Sequence, residues 1–193
     1  MPTPKIILAS QSPQRRNILA TLGVEFLVVP SQLDESTIQN PDAGERARLL
    51  ARAKGEAVGR LHTDAIVMSA DSFCVYQGRQ LEKPPTVAAA QAMLRGLAGN
   101  TFQFVTGFYY CHPGRPAISE TFSGSAHMRM LSDAEIAHYC AENPVTTWSG
   151  SYSPAYIAGM SLFGQVSGNL TAFTHGFPID RVAELLKLSG ALG

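Results

Sequence analysis

Three cysteines in 193 residues, Cys74, Cys111 and Cys140, are too few and too far apart for a disulfide framework or a cysteine-ligated zinc site. Their apolar surroundings fit a reducing compartment, and the cytoplasm is the expected location. Excess charge is also missing. Fifteen Lys and Arg balance fifteen Asp and Glu, which excludes a global field for nucleic acid or an acidic membrane. Neither of these is an expected partner. No apolar run approaches the ~18 residues of a membrane span, and Met1-Pro2-Thr3-Pro4-Lys5 lacks the apolar centre of a signal peptide. The five histidines show no paired ligand spacing. Repeats, linkers and low-complexity tracts are absent as well. What remains, at 45% hydrophobic and 16% charged residues, is a chain able to bury a core as a single domain over 1–193.

Strand and helix patterns alternate along it. Lys5 to Ala9 reads as a short strand, and Ser10-Gln11-Ser12-Pro13 as a tight loop into a helix from Arg15 to Leu22, with Ser12 as its cap. The free N–H groups and positive dipole end there, beside Ser10, Arg15 and Arg16, suit a phosphate. Val24 to Pro30 predicts a second strand, followed by Leu33-Asp34-Glu35-Ser36 and a long helix to about Leu61. That helix carries five of the fifteen basic residues: Arg46, Arg48, Arg52, Lys54 and Arg60. Leu49, Leu50, Ala53, Ala57, Val58 and Leu61 predict its apolar face, and Lys54 projects inside the arc. Lys54 therefore points toward the body of the protein, and taken alone it reads as a lysine snorkelling at the edge of the stripe ahead of a ligand-binding group.

Further on, a strand at Ala65 to Val75 leads to a turn at Gln77-Gly78-Arg79 and a loop at Leu81 to Pro85, where Pro84 and Pro85 stiffen the chain after Lys83. A helix over 86–97, strands over 102–110 and 122–130, and a helix opened by the capping box Ser132-Asp133-Ala134-Glu135 follow. Trp148 to Asn169 is rich in Gly, Ser and aromatic residues and predicts loops and short strands around a cleft. His175-Gly176-Phe177-Pro178-Ile179 leads to a last amphipathic helix.

Asp71 stands out, because its strand is otherwise apolar or small. An unpaired buried carboxylate costs several kcal/mol or is forced to hold a proton, so a metal ion, a Lys or an Arg is expected beside it. Ser10, Ser12 and Arg15-Arg16 at a helix start, Asp34-Glu35 after a strand, Lys54, Asp71 and Glu82-Lys83-Pro84 together form a kit for a polyphosphate. Basic groups neutralise phosphates, N–H and Ser donors orient them, and carboxylates hold Mg²⁺ or Mn²⁺ while one of them activates water.

Their order and local sequences resemble the Maf family of nucleoside-triphosphate pyrophosphatases nearly end to end. Ile7-Leu8-Ala9-Ser10-Gln11-Ser12-Pro13-Gln14-Arg15-Arg16 is similar to the family's LASxSPxRR opening and Leu33-Asp34-Glu35 to its acidic pair. Ala51-Arg52-Ala53-Lys54, Ser69-Ala70-Asp71, Glu82-Lys83-Pro84 and Gly176-Phe177-Pro178-Ile179 match its later motifs. The resemblance implies an α/β fold, a mixed sheet with flanking helices and two lobes around a central cleft. It implies metal-dependent hydrolysis of a nucleoside triphosphate to the monophosphate and pyrophosphate, clearing noncanonical nucleotides. Asp71 would be the general base or a metal ligand, Glu35 a metal ligand, and Lys83 a catalytic phosphate clamp. Ser10, Arg15 and Lys54 would bind substrate. A homodimer is the assembly it suggests.

Phe73-Cys74-Val75, Val105-Thr106-Gly107, Gly150-Ser151-Tyr152 and Ser161-Leu162-Phe163 resemble the branch associated with 7-methyl-GTP. Specificity is expected from Gln14, Ser72 and Tyr156. Gln14 stands where that branch has Trp and the dTTP/UTP branch has Arg. Ala155 or Tyr156 stands where the family has an acidic residue or Gln, so Tyr156, Tyr152 or Trp148 becomes a candidate for stacking on a base. A nucleotide-binding regulator of cell division with little turnover is the competing reading, and a phosphatase acting on a non-nucleotide phosphate is a third.

Overall fold

Ile6, Ile7 and Leu8 are buried on both faces of β1 (Lys5–Leu8), as a continuous apolar run in a parallel setting requires. This strand lies between two parallel neighbours, β2 (Leu27–Val28) and β3 (Ala65–Tyr76). Beyond β3 the sheet continues antiparallel through β5 (Thr101–Cys111), β6 (Ile118–Met128) and β7 (Phe163–Gly168). Its order is β2-β1-β3-β5-β6-β7, with β4 (Arg79–Leu81) paired to the far end of β3. The computed structural model describes residues 4–193.

Helices flank this mixed sheet. On one side α1 (Pro13–Ala20) and α7 (Ile179–Leu188) pack Leu19, Val182 and Leu186 against Leu8, Ile66, Met68 and Phe108. A second core gathers α3 (Val87–Leu97), α4 (Asp133–Glu142) and α6 (Leu170–His175) around Phe102, Phe104 and Met128. α5 (Ile157–Met160) is a single turn before β7. A mixed sheet flanked by helices is the α/β arrangement that the sequence predicts.

α2 (Ala43–Gly59) packs on the sheet, and the face it buries overlaps the predicted one at Leu50, Lys54 and Val58 but is rotated toward Ala47, Ala51 and Gly55. Ala47, Leu50, Ala51, Lys54, Gly55 and Val58 are buried, whereas Leu61 is 79% exposed. Small residues face inward because the helix lies almost on the strand: a Cβ on Gly107 of β5 would run into the backbone carbonyl of Ala47. Close approach adds small residues to the contact, so the apolar arc gives only part of the buried face.

Other differences are local. The strand predicted over 24–30 shrinks to Leu27–Val28, which stands at the sheet edge with both side chains exposed. Part of the predicted loop after Gly78 forms β4, held by pairing with β3. The stretch before Gly176 forms α6, capped by Asn169 and ended by Gly176 in the left-handed region. No described helix is long and apolar enough to cross a membrane.

Candidate active site

β3 is paired with β5 along most of its length, but its other edge is shared. β1 covers it as far as Met68 and β4 covers it from Cys74. Residues 69–73 therefore have a strand partner on one side only, and the gap opens into a cavity of about 950 Å³. Alternation along the strand sends Ser69, Asp71 and Phe73 toward α2 and Ser72 toward α1. Every residue expected at the site, Ser10, Gln14, Arg15, Glu35, Lys54, Asp71, Ser72, Lys83 and Tyr156, lines this one cavity.

Asp71 and Lys54 are its buried charges. The Lys54 ammonium donates to Asp71 Oδ1 at 2.6 Å and lies 2.9 Å from Glu35 Oε1. Ser69 donates to the Ala51 carbonyl at 2.6 Å, pinning α2 one turn ahead of the lysine. Lys54 is thus no snorkelling residue: its side chain is 10% exposed and ends on a carboxylate that is itself 11% exposed. The partner demanded by Asp71 is a lysine, in direct contact. Glu35 is more open, at 53%. Its neighbour Asp34 instead caps the short turn Glu35–Thr37, accepting from the Ser36 hydroxyl and N–H, which hold its carboxyl below the usual range.

The second half of the cleft is the start of α1. Ser12 caps the helix and Pro13 occupies its first turn, as the sequence predicts. Arg15 reaches back across the opening, donating to the Gly176 carbonyl at 3.0 Å and to the Ser10 and Ser72 hydroxyls at 3.3 Å each. Burial lowers its pKa, and the carboxylates of Asp71 and Glu35 oppose that effect. Gly176 must be glycine here: its φ is +61°, and a Cβ would press on Ser72 Oγ and the guanidinium.

Thr106 completes this network and was not singled out as a site residue. It is 1% exposed and donates to the Ala172 carbonyl at 3.1 Å. Its one proton is thereby used, so the 3.0 Å contact with Ser72 requires Ser72 to donate. Ser72 then accepts from Arg15. This chain of hydroxyls is set by the pairing of Ser72 opposite Thr106 across β3 and β5, which local sequence does not display.

Lys83 is exposed and, among the described residues, has neither a hydrogen bond nor an ion pair, while the following Pro84 is buried and anchors its loop. The opposite wall is aromatic. Trp148 and Tyr156 lie with ring centroids 5.5 Å apart and planes 31° apart, and Tyr156 is 39% exposed. Tyr152 touches the cavity but packs against Phe102, Phe163 and Phe173, so it is a core residue and not a stacking surface. Gln14 accepts from Ser12 through Oε1 at 2.8 Å, leaving its amide nitrogen able to donate. Cys74 lines the cavity too, but burial pushes its thiol up to about 12, which removes it as a nucleophile. His175, on the same rim, is disfavoured as a cation by burial.

The described residues contain no cluster of three or more His, Cys, Asp or Glu able to hold a metal alone. Glu35 and Asp71 nevertheless converge on one cationic point, the Lys54 ammonium. Two hard carboxylates with further ligands from a substrate phosphate are a common Mg²⁺ donor set, so these side chains fit that ion.

The sequence matches the Maf-like protein family over residues 5–189. It is 36% identical over 187 residues to a dTTP/UTP pyrophosphatase of Moorella thermoacetica, covering 96% of this chain and 95% of the relative. A nucleoside triphosphate pyrophosphatase of Bradyrhizobium diazoefficiens is 34% identical over 170 residues, covering 85% of this chain and 84% of the relative. Among solved structures, a HAM1 protein from Coxiella burnetii superimposes with a TM-score of 0.53 at 14% identity, over 96% of this chain and 99% of that one, a likeness of fold. Family match, relatives and the cleft that gathers the family's motif residues agree: this chain belongs to the Maf family.

Proposed function

We propose that this protein hydrolyses a nucleoside triphosphate between its α and β phosphates, releasing the monophosphate and pyrophosphate with the help of Mg²⁺ or Mn²⁺. The observation that carries the reading is the Lys54 ammonium held between Asp71 and Glu35 at the floor of a cleft whose rim bears Arg15 and Lys83. Three cations and two carboxylates leave little net positive charge against a triphosphate, and a divalent ion held by Glu35 and Asp71 would add to it. When bound, the ion polarises the phosphoryl oxygens.

The side chains have distinct parts. Arg15, Ser10 and the N–H groups opening α1 hold one end of the phosphate chain, and Lys83 closes from the opposite loop. Asp71 takes the proton of a water that attacks the α phosphorus. Lys54, donating to Asp71 Oδ1 at 2.6 Å, holds that carboxylate in place. The P–O bond to the β phosphate breaks, and pyrophosphate leaves against Arg15 and Lys83.

The names of the relatives make dTTP and UTP the first substrates to test. The segments resembling the 7-methyl-GTP branch divide: Phe73, Cys74, Val105, Thr106 and Tyr152 line the cleft, whereas Leu162 and Phe163 are in or against the core and Gly107 admits α2. Base contacts fall to Gln14 and the Trp148–Tyr156 pair.

The test is product analysis with dTTP, UTP, the other common triphosphates and 7-methyl-GTP, with Mg²⁺ and with a chelator. Pyrophosphate and monophosphate in equal amounts, abolished by the chelator, are expected. Orthophosphate as sole product would overturn the reading. So would tight nucleotide binding without turnover, unchanged by Asp71→Asn.

A further inference from the structure

Arg46 belongs to none of the groups that face the cleft, yet its side chain is only 12% exposed. Three contacts surround its guanidinium. Nε donates to the Ile38 carbonyl at 3.1 Å, Nη1 donates to Glu82 Oε1 at 2.8 Å, and the guanidinium carbon stands 5.0 Å from the centre of the Phe73 ring. Each contact lies on a different segment of the site. Ile38 closes the turn that begins with Glu35, Phe73 follows Asp71 by two residues on the same face of β3, and Glu82 precedes Lys83.

The geometry points to Arg46 as a positioning residue that fixes Lys83, and with it the acidic turn, relative to Asp71. This rests on the reading of the cleft as a triphosphate hydrolase. Lys83 has no partner of its own among the described residues, so the reach of its ammonium is set by its backbone. Pro84 restrains that backbone on one side and the Arg46–Glu82 pair on the other. Gln80 also donates to Glu82 Oε1, at 2.9 Å, which keeps the carboxylate turned toward Arg46. Most exposed ion pairs contribute little, and Glu82 is 65% exposed, so stability gives this pair no strong purpose. Arg46 differs in being largely shielded, planar and engaged on two edges and one face at once, an arrangement a lysine cannot reproduce.

The test is a double-mutant cycle with two readouts: kcat/KM for a nucleoside triphosphate, and calorimetric affinity for inorganic tripolyphosphate. Arg46→Met and Glu82→Gln are each expected to lower both by roughly ten- to a hundredfold, the scale of a displaced catalytic group. In a Lys83→Met background the same substitutions are expected to lower them no further. Arg46→Lys is expected to recover only part of the loss. Glu82→Gln changes one exposed side chain and keeps the variant set interpretable should Arg46→Met fold poorly. Equal losses with and without Lys83, or losses that follow the melting temperature across the variants, overturn the proposal. Coupling in tripolyphosphate affinity without any triphosphate turnover would retain the role of Arg46 and discard the hydrolase reading; turnover without coupling would do the reverse.

Discussion

Lys54 and Asp71 meet at 2.6 Å, from the middle of a helix and the middle of a strand that are seventeen residues apart in sequence. The pair is buried on both sides, and Glu35 shares the ammonium from the solvent side. Lys54→Met leaves the Asp71 carboxylate unpaired where water hardly reaches. A stability loss of about 3 kcal/mol is expected by urea unfolding. Added Mg²⁺ should raise the melting temperature of this variant more than that of the parent, since both carboxylates become free to take the ion. Asp71→Asn is expected to keep the fold and lose roughly a hundredfold or more in kcat. Near-normal turnover in Asp71→Asn would remove the general-base assignment.

Gly107→Ala tests the closeness of α2 to the sheet. The added methyl meets backbone at Ala47, which cannot swing aside, so at least about 2 kcal/mol of destabilisation is expected in chemical denaturation. Displacing α2 also lifts Lys54 away from Asp71, and kcat should fall more than KM changes. A fully active, equally stable Gly107→Ala enzyme would contradict the packing argument.

Tyr156→Ala separates base recognition from phosphate recognition. Loss of the aromatic surface is expected to lower kcat/KM for nucleoside triphosphates by roughly tenfold, in line with a stacking contribution of ~1–3 kcal/mol. Affinity for inorganic tripolyphosphate should be unchanged, because that ligand has no base. A parallel loss for both ligands would show that Tyr156 supports the fold of the wall instead.

Acid stability reports on α4. Glu135 accepts from the backbone N–H of Ser132, pairs with Arg129 and accepts from the Ser132 hydroxyl, and these bring its carboxyl down to about 2 from the ordinary 4.5. Because the folded pKa is depressed, the contribution is complete above the unfolded value and is lost as pH falls from 4.5 toward 2. Glu135→Gln should therefore flatten this part of the melting-temperature profile and lower stability near neutrality. A variant whose acid limb still parallels that of the parent would assign the limb to other carboxylates.

The sequence by itself determined the elements with strong local signals: the Ser12-Pro13 start of α1, the capping box of α4, the strand around Asp71 and the demand that this aspartate find a partner. It also named nine of the residues that line the cleft, because the motif order resembled a family, and the cleft brings them together. Tertiary structure decided what those residues touch. The helical projection turned Lys54 inward, but its ending on Asp71 and Glu35 was decided by the packing of α2 against β3, which Gly107 allows to be close. The local sequence showed Thr106 within a motif and Arg46 within a basic cluster but not their partners, which come from strand register and from segments eight to sixty-six residues away. Tyr152 and Tyr156, four residues apart and alike in chemistry, went to the core and to the cleft wall respectively. Short-range physics fixes caps and strands one at a time; the mutual placement of charges depends on the packing of helix against sheet, which no single stretch of chain encodes.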